Sequence, residues 1–146
     1  MKGNRRRSRE LALQALYQWQ LNESSPDELL KQLADSEDFG KPDQAYLETL
    51  VRGTVRDAAA LRVRVQPYLD RKMEGLSPVE HALLLMAACE LATELATPYR
   101  VIINEAVELA KSYGGTDGHK YVNGVLDKLA GDLRPAEVAA RPKARS

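Results

Sequence analysis

Three arginines in a row, Arg5, Arg6 and Arg7, with Arg9 two residues on, form the densest set of chemically committed side chains in this sequence. Each guanidinium is planar, forked and permanently charged, suited to phosphate oxygens and to stacking on exposed bases. The cluster points to a polyanion; taken alone, it fits a solubilising chain end equally well. A second set, Asp117 to Gly124, lies at the start of a predicted helix, where unpaired N–H groups and the helix dipole favour anions. It supplies a cation (Lys120), an amide (Asn123) and an aromatic (Tyr121). Tyr121 can project outward while Val122 and Val125 face a core, although a core tyrosine with its hydroxyl at the surface has the same pattern. Asp117 reads, on chemistry alone, as a helix cap.

Groups suited to catalysis are scattered. Glu105 and Glu108, and Glu90 and Glu94, fall on shared helix faces, but paired carboxylates without a histidine at metal-ligand spacing read as solvated surface. His81 and Cys89 are eight residues apart, too far for a thiolate and its base, and Cys89 fits a small core residue. One cysteine and two distant histidines exclude an internal disulfide framework and the usual zinc sites. No phosphate loop or nucleophile elbow is present. No catalytic residue, metal or cofactor is expected.

The elements that must position these groups read as helices. With 146 residues, 44% of them hydrophobic, the chain can bury a core of its own. The 21 basic and 21 acidic residues cancel, but unevenly: residues 1–9 hold five basic side chains and no acid, and residues 23–48 hold eight acids against Lys31 and Lys41. Arg5 to Leu21 predicts a helix with a wet cationic first turn and a second half buried through Leu11, Leu13, Ala15, Leu16, Tyr17 and Trp19. Ser25-Pro26-Asp27-Glu28 and Ser77-Pro78-Val79-Glu80 read as capping boxes with proline at the first helical position. Between them, Leu47, Leu50, Val51, Val55, Ala58, Leu61 and Val65 recur at helical spacing and predict one long helix from Asp43; Gly53 inside it calls for a packing reason.

The segment after Ser77 is apolar on most of its circumference and belongs at the centre of the second half. Helices reaching Tyr113 and running from about Gly118 to Ala130 follow. The expected fold is all-α, about seven helices in one domain (1–134) of two small bundles split near Leu76, with residues 135–146 a disordered basic tail. The longest strongly apolar run, Ala82 to Cys89, falls far short of the ~20 residues that cross a bilayer, and no secretory cleavage pattern follows the basic N-terminus; a cytoplasmic location is expected.

Two stretches, RRRSRELALQALYQWQ (Arg5 to Gln20) and INEAVELAKSYGGTDGHKYVNGVLDKLA (Ile103 to Ala130), closely resemble the NusB family of bacterial transcription antitermination factors, and the likeness extends from Arg5 to Leu133. It implies an all-helical protein that binds the single-stranded boxA element of ribosomal RNA leaders. The implied partner is a small-subunit ribosomal protein, NusE, and the pair loads onto RNA polymerase to suppress premature termination. By the resemblance, Arg5, Arg6 and Arg7 with Asp117, Lys120 and Tyr121 would form the RNA surface across the junction of the bundles. Tyr17 and Leu21 would dock the ribosomal protein, with Glu74 and Glu80 facing its basic surface. Tyr121 stands where the family commonly has phenylalanine, which keeps a stacking face and adds a hydroxyl. Some family members are homodimers and others monomers, and the spacing here does not decide between them.

Two alternatives stand beside this reading. NusB-like domains also precede methyltransferase domains that modify ribosomal RNA; the absence of a second domain and of a cofactor loop in this sequence disfavours that. A helical protein–protein adaptor whose arginines bind an acidic partner is the other. A few arginines and one aromatic predict weak, salt-dependent RNA binding that a protein partner strengthens.

Overall fold

Local chemistry decides where the helices begin. In a computed structural model that describes residues 4–36, 39–113 and 118–140, the Asn4 side chain accepts the Arg7 N–H at 3.1 Å and opens α1 (Arg5–Asn22). Ser25 and Glu28 exchange hydrogen bonds as a capping box at α2 (Pro26–Ala34), and Asp43 caps α3 (Gln44–Arg56). After α4 (Ala58–Val65) and two 3-10 turns (Gln66–Tyr68 and Met73–Gly75), a second capping box, Ser77 with Glu80, starts α5 (Pro78–Thr93). Then come α6 (Tyr99–Tyr113), α7 (Gly118–Leu133) and a short α8 (Pro135–Ala140). Among the described residues there is no strand, only an isolated bridge from Asn4 to Pro42 that pins the start of α1 to the start of α3.

The helix α5 is the axis of the molecule. Its residues from Ala82 to Leu91 are all buried, and it packs against α1, α3, α4, α6 and α7, as a helix apolar on every side must. No described helix is long and apolar enough to cross a membrane.

Three expectations are corrected by the structure. The predicted long helix from Asp43 to Val65 is two helices, because Asp57 leaves the α region (φ −101°, ψ 14°) while its N–H still reaches Gly53 O. The bend re-aims the chain: α3 packs on α1 and α5, and α4 packs on α5 and α7. Gly53 has its packing reason, since a Cβ there would sit 3.1 Å from the Cys89 sulfur.

The division of α1 into a wet head and a buried second half is also different. Burial reaches back to Ser8 and Arg9, whereas Tyr17 is exposed and Leu21 is 59% exposed. Arg9 is 4% exposed and Glu90 1%; they meet through Nε–Oε1 at 3.0 Å and Nη2–Oε2 at 2.9 Å. The Tyr46 hydroxyl donates to the same carboxylate, so one ion pair ties α1, α3 and α5 together. Burial, then the Glu90 charge and its hydrogen bond, raise the Tyr46 hydroxyl well above the usual tyrosine value and keep it protonated.

Residues 135–140 are helical and docked, not tail. Arg134 is buried and donates to Leu91 O (2.7 Å) and Glu94 O (3.0 Å), carbonyls that the end of α5 leaves without helical partners, and to Thr97 O (3.0 Å) in the link to α6. Glu137 accepts from the Tyr99 N–H at 2.9 Å, one of the orphan donors at the start of α6, and from Arg134 at 2.6 Å. This single pair closes two helix ends; residues 141–146 lie outside the described residues.

Two stability measurements follow. Glu90→Ala strands a buried guanidinium and is expected to cost about 3–5 kcal/mol in urea unfolding, while Arg9→Met with Glu90→Leu recovers much of that loss. The second concerns pH. The Arg62 Nε–H donates to His81 Nε2 at 3.1 Å, and burial followed by the Arg62 charge pushes the imidazole below its ordinary 6.5. The unfolded chain therefore takes up this proton first. Stability is full above about pH 6.5 and is lost as pH falls below it, a slope that His81→Gln should flatten in urea midpoints measured from pH 7.5 to 5.5.

Candidate nucleic-acid interface

Consecutive helical residues point about 100° apart, so the three arginines fan around the first turn of α1. Arg5 lies over the Tyr46 ring (4.2 Å to its centroid) and reaches Asp43 at 3.5 Å. Arg6 forks onto Glu105 of α6, with Nε–Oε1 at 3.0 Å and Nη2–Oε2 at 2.7 Å. Arg7 donates to Phe39 O at 3.2 Å and to Glu10 at 3.0 Å, its stem against Gly40, whose φ of 71° suits glycine. The hydrogen bonds from Arg6 hold the Glu105 carboxyl below its ordinary 4.5, against partial burial.

Each exposed guanidinium is thus held by a carboxylate. Exposed pairs of this kind contribute little to stability, and a phosphate oxygen can replace the carboxylate at small cost. The Arg5 and Arg6 side chains are 46% and 63% exposed, which keeps their outer faces open to solvent.

At the start of α7, Lys120 is exposed and Tyr121 half-buried. The Tyr121 hydroxyl donates to Asp70 Oδ1 at 3.0 Å and accepts from the Asp70 N–H at 3.2 Å. The Arg71 guanidinium lies 4.5 Å over the ring centroid and pairs with Asp70 at 2.6 Å. Hydrogen bonds from Arg71 and then Tyr121 lower the Asp70 carboxyl from its ordinary value, while burial, opposed by the Asp70 N–H, raises the Tyr121 hydroxyl. Asp117 lies outside the described residues.

These two groups are not side by side. Helices α1 and α5 run antiparallel: Arg9 meets Glu90 near the end of α5, and Gln20 donates to Pro78 O at its start. A Cβ on Gly118 would lie 3.6 Å from the Glu80 carboxylate, which places the first turn of α7 at the Gln20 end. Pro78 and Glu90 are twelve residues apart, about 18 Å of helix. The arginines and Tyr121 are therefore separated by that order of distance, within reach of one extended strand but not of one base. Between them runs α6, with Glu105 beside Arg6 and Tyr113 beside Leu13 and Tyr17 in a groove of about 370 Å³.

Tyr17 and Leu21 are one turn apart on the exposed face of α1, at that same Gln20 end. Glu80 is half-buried and its Oε1 accepts the Ser77 N–H at 3.2 Å, so one oxygen caps α5. Glu74 is exposed on the second 3-10 turn. Sequence reasoning missed Asp43, Asp70 and Arg71, and read Glu105 as solvated surface; no local pattern joins Glu105 to an arginine 99 positions away.

The comparisons agree on one family. The NusB family model matches residues 6–131. The transcription antitermination protein NusB of Burkholderia mallei is 56% identical over 140 residues, 96% of this chain and 97% of that protein. Among solved structures, NusB of T. maritima has 29% identity and a TM-score of 0.84, covering 95% of this chain and 99% of that one. A complex of antitermination factors NusB and NusE with double-stranded RNA contains a chain with 26% identity and a TM-score of 0.76, covering 88% of this chain and 96% of that one. An all-helical chain with this match over most of its length belongs to the NusB family.

Proposed function

We propose that this protein serves transcription antitermination without catalysis. In this reading it binds single-stranded RNA of the boxA type with Arg5, Arg6 and Arg7 and a second contact near Lys120 and Tyr121. Its partner is the small ribosomal protein NusE, taken at Tyr17 and Leu21 with Glu74 and Glu80 opposite basic groups; the pair then acts on RNA polymerase in the cytoplasm. The observation that carries the reading is that one rigid helix, α1, displays exposed guanidiniums at one end and exposed apolar side chains at the other. Phosphate neutralisation supplies affinity that falls with salt, and the apolar end supplies a site for a protein that enlarges a small RNA surface.

A duplex is the second reading, supported by the RNA in the related NusB–NusE complex. Titrating boxA RNA as a single strand and as a duplex, with and without NusE, separates the two.

Changing Arg5, Arg6 and Arg7 together to alanine should weaken boxA binding at least tenfold with a smaller drop in melting temperature than Arg9→Ala, since the Arg5 and Arg6 guanidiniums are exposed and Arg7 is part-buried, whereas Arg9 is almost wholly buried. Equal displacement by unrelated RNA would favour the adaptor alternative. Glu105→Gln removes the carboxylate that competes for Arg6. It should tighten binding several-fold at low salt and steepen the log–log salt dependence by up to about 0.7, the increment of one single-strand phosphate contact. An unchanged slope would remove Arg6 from the interface.

A further inference from the structure

The Tyr121 ring, the obvious stacking surface at the start of α7, is already covered. It is half-buried against the core, and the Arg71 guanidinium sits over it at 4.5 Å. Arg71 is itself held from several directions. Asp70 grips it through Oδ1–Nε at 2.6 Å and Oδ2–Nη2 at 3.2 Å. Its aliphatic stem lies over Gly75, where a Cβ would be 3.5 Å from Cγ and Cδ. The backbone beneath is tied by Gln66, which donates to Arg71 O at 2.9 Å and accepts from the Met73 N–H at 3.1 Å. Asp70 is fixed in turn by its two hydrogen bonds with the Tyr121 hydroxyl. An arginine that remains 44% exposed while its stem, edge and inner face are all held presents a preformed planar surface, with little rotamer freedom left to lose on binding.

We propose that the outer face of the Arg71 guanidinium, not the Tyr121 ring, is the platform on which an unpaired RNA base stacks, with Tyr121 and Asp70 as its mount. This rests on the RNA-binding reading above. Guanidinium planes stack on splayed bases as aromatic rings do. With its inner face on the Tyr121 ring and its edge gripped by the Asp70 carboxylate, Arg71 contributes a plane more than a charge. The hydroxyl of Tyr121 gains a purpose in this arrangement: it positions Asp70, which sets the plane of Arg71.

The test is boxA RNA binding in the presence of NusE by wild type, Arg71→Ala, Arg71→Lys, Tyr121→Phe and the triple arginine variant, over a salt series. Arg71→Ala should weaken binding about tenfold, the order of one lost stacking contact, with an unchanged salt slope and melting temperature. Lysine should not rescue it, and Tyr121→Phe should lose about threefold through the unfixed Asp70, less than the loss of a whole stack. RNA should also shift the Arg71 Nε–H resonance in the wild type. If Arg71→Ala binds like wild type while the triple variant fails, the platform is refuted and the RNA reading stands. If Arg71→Ala binds more tightly, Arg71 is a lid and the ring is the platform, which also refutes it. A salt slope reduced as by a lost phosphate contact, or full rescue by lysine, makes Arg71 a simple cation. If wild type binds no RNA with NusE present, the RNA reading itself fails.

Discussion

The pairing of Arg9 with Glu90 is the constraint from which the geometry of this molecule follows. Both groups are almost wholly out of water, and neither can lose the other without leaving a buried charge. Such a pair is weak evidence for stability, since well-packed apolar side chains could do as well. What it does is fix register. Only one axial position of α1 along α5 lets the Arg9 fork meet Glu90 while Tyr46 of α3 reaches the same carboxylate. Four basic residues of one type within five positions thus divide: Arg9 locks the helix, and Arg5, Arg6 and Arg7 are displayed around its end.

Display does not mean excess charge. Asp43, Glu105 and Glu10 stand beside Arg5, Arg6 and Arg7, in a chain whose formal charge is zero. A neutral protein has little long-range attraction for a polyanion. On the proposed reading, affinity comes from exchanging carboxylate for phosphate at short range, a nearly balanced trade for exposed groups. Such a trade would leave room for a partner to add affinity, and the exposed Tyr17 and Leu21 lie on the same rod.

Much of the fold was legible from short-range rules. Both capping boxes and the encircling apolarity of α5 are local patterns, and the structure follows them. The break at Asp57 was not legible, because aspartate, though a weak helix former favoured at caps, occurs inside helices too, and the reason to bend lies in the separate surfaces that α3 and α4 must cover. The Arg134–Glu137 closure was hidden for a similar reason: its targets are carbonyls and an N–H about forty residues earlier. Arg9 could have been separated from its neighbours, since it shares a helical face with Leu13 and Leu16, four and seven positions on. The pairing of Arg6 with Glu105, and the stack of Arg71 on Tyr121, belong to tertiary contact alone.

The separation of the two candidate RNA contacts has a consequence for how weak contacts combine. The arginine end and the Tyr121 end lie on one body, held by the Arg9 pair at one end of α5 and by the hydrogen bond from Gln20 to Pro78 at the other. A strand anchored at the first contact meets the second at an effective concentration set by this fixed spacing, so two modest interactions multiply. The same rod carries the exposed Tyr17 and Leu21 close to the second contact. A protein docked there would narrow the paths open to the strand without any change in the helices, and cooperation between RNA and protein then arises from rigidity and not from a conformational switch.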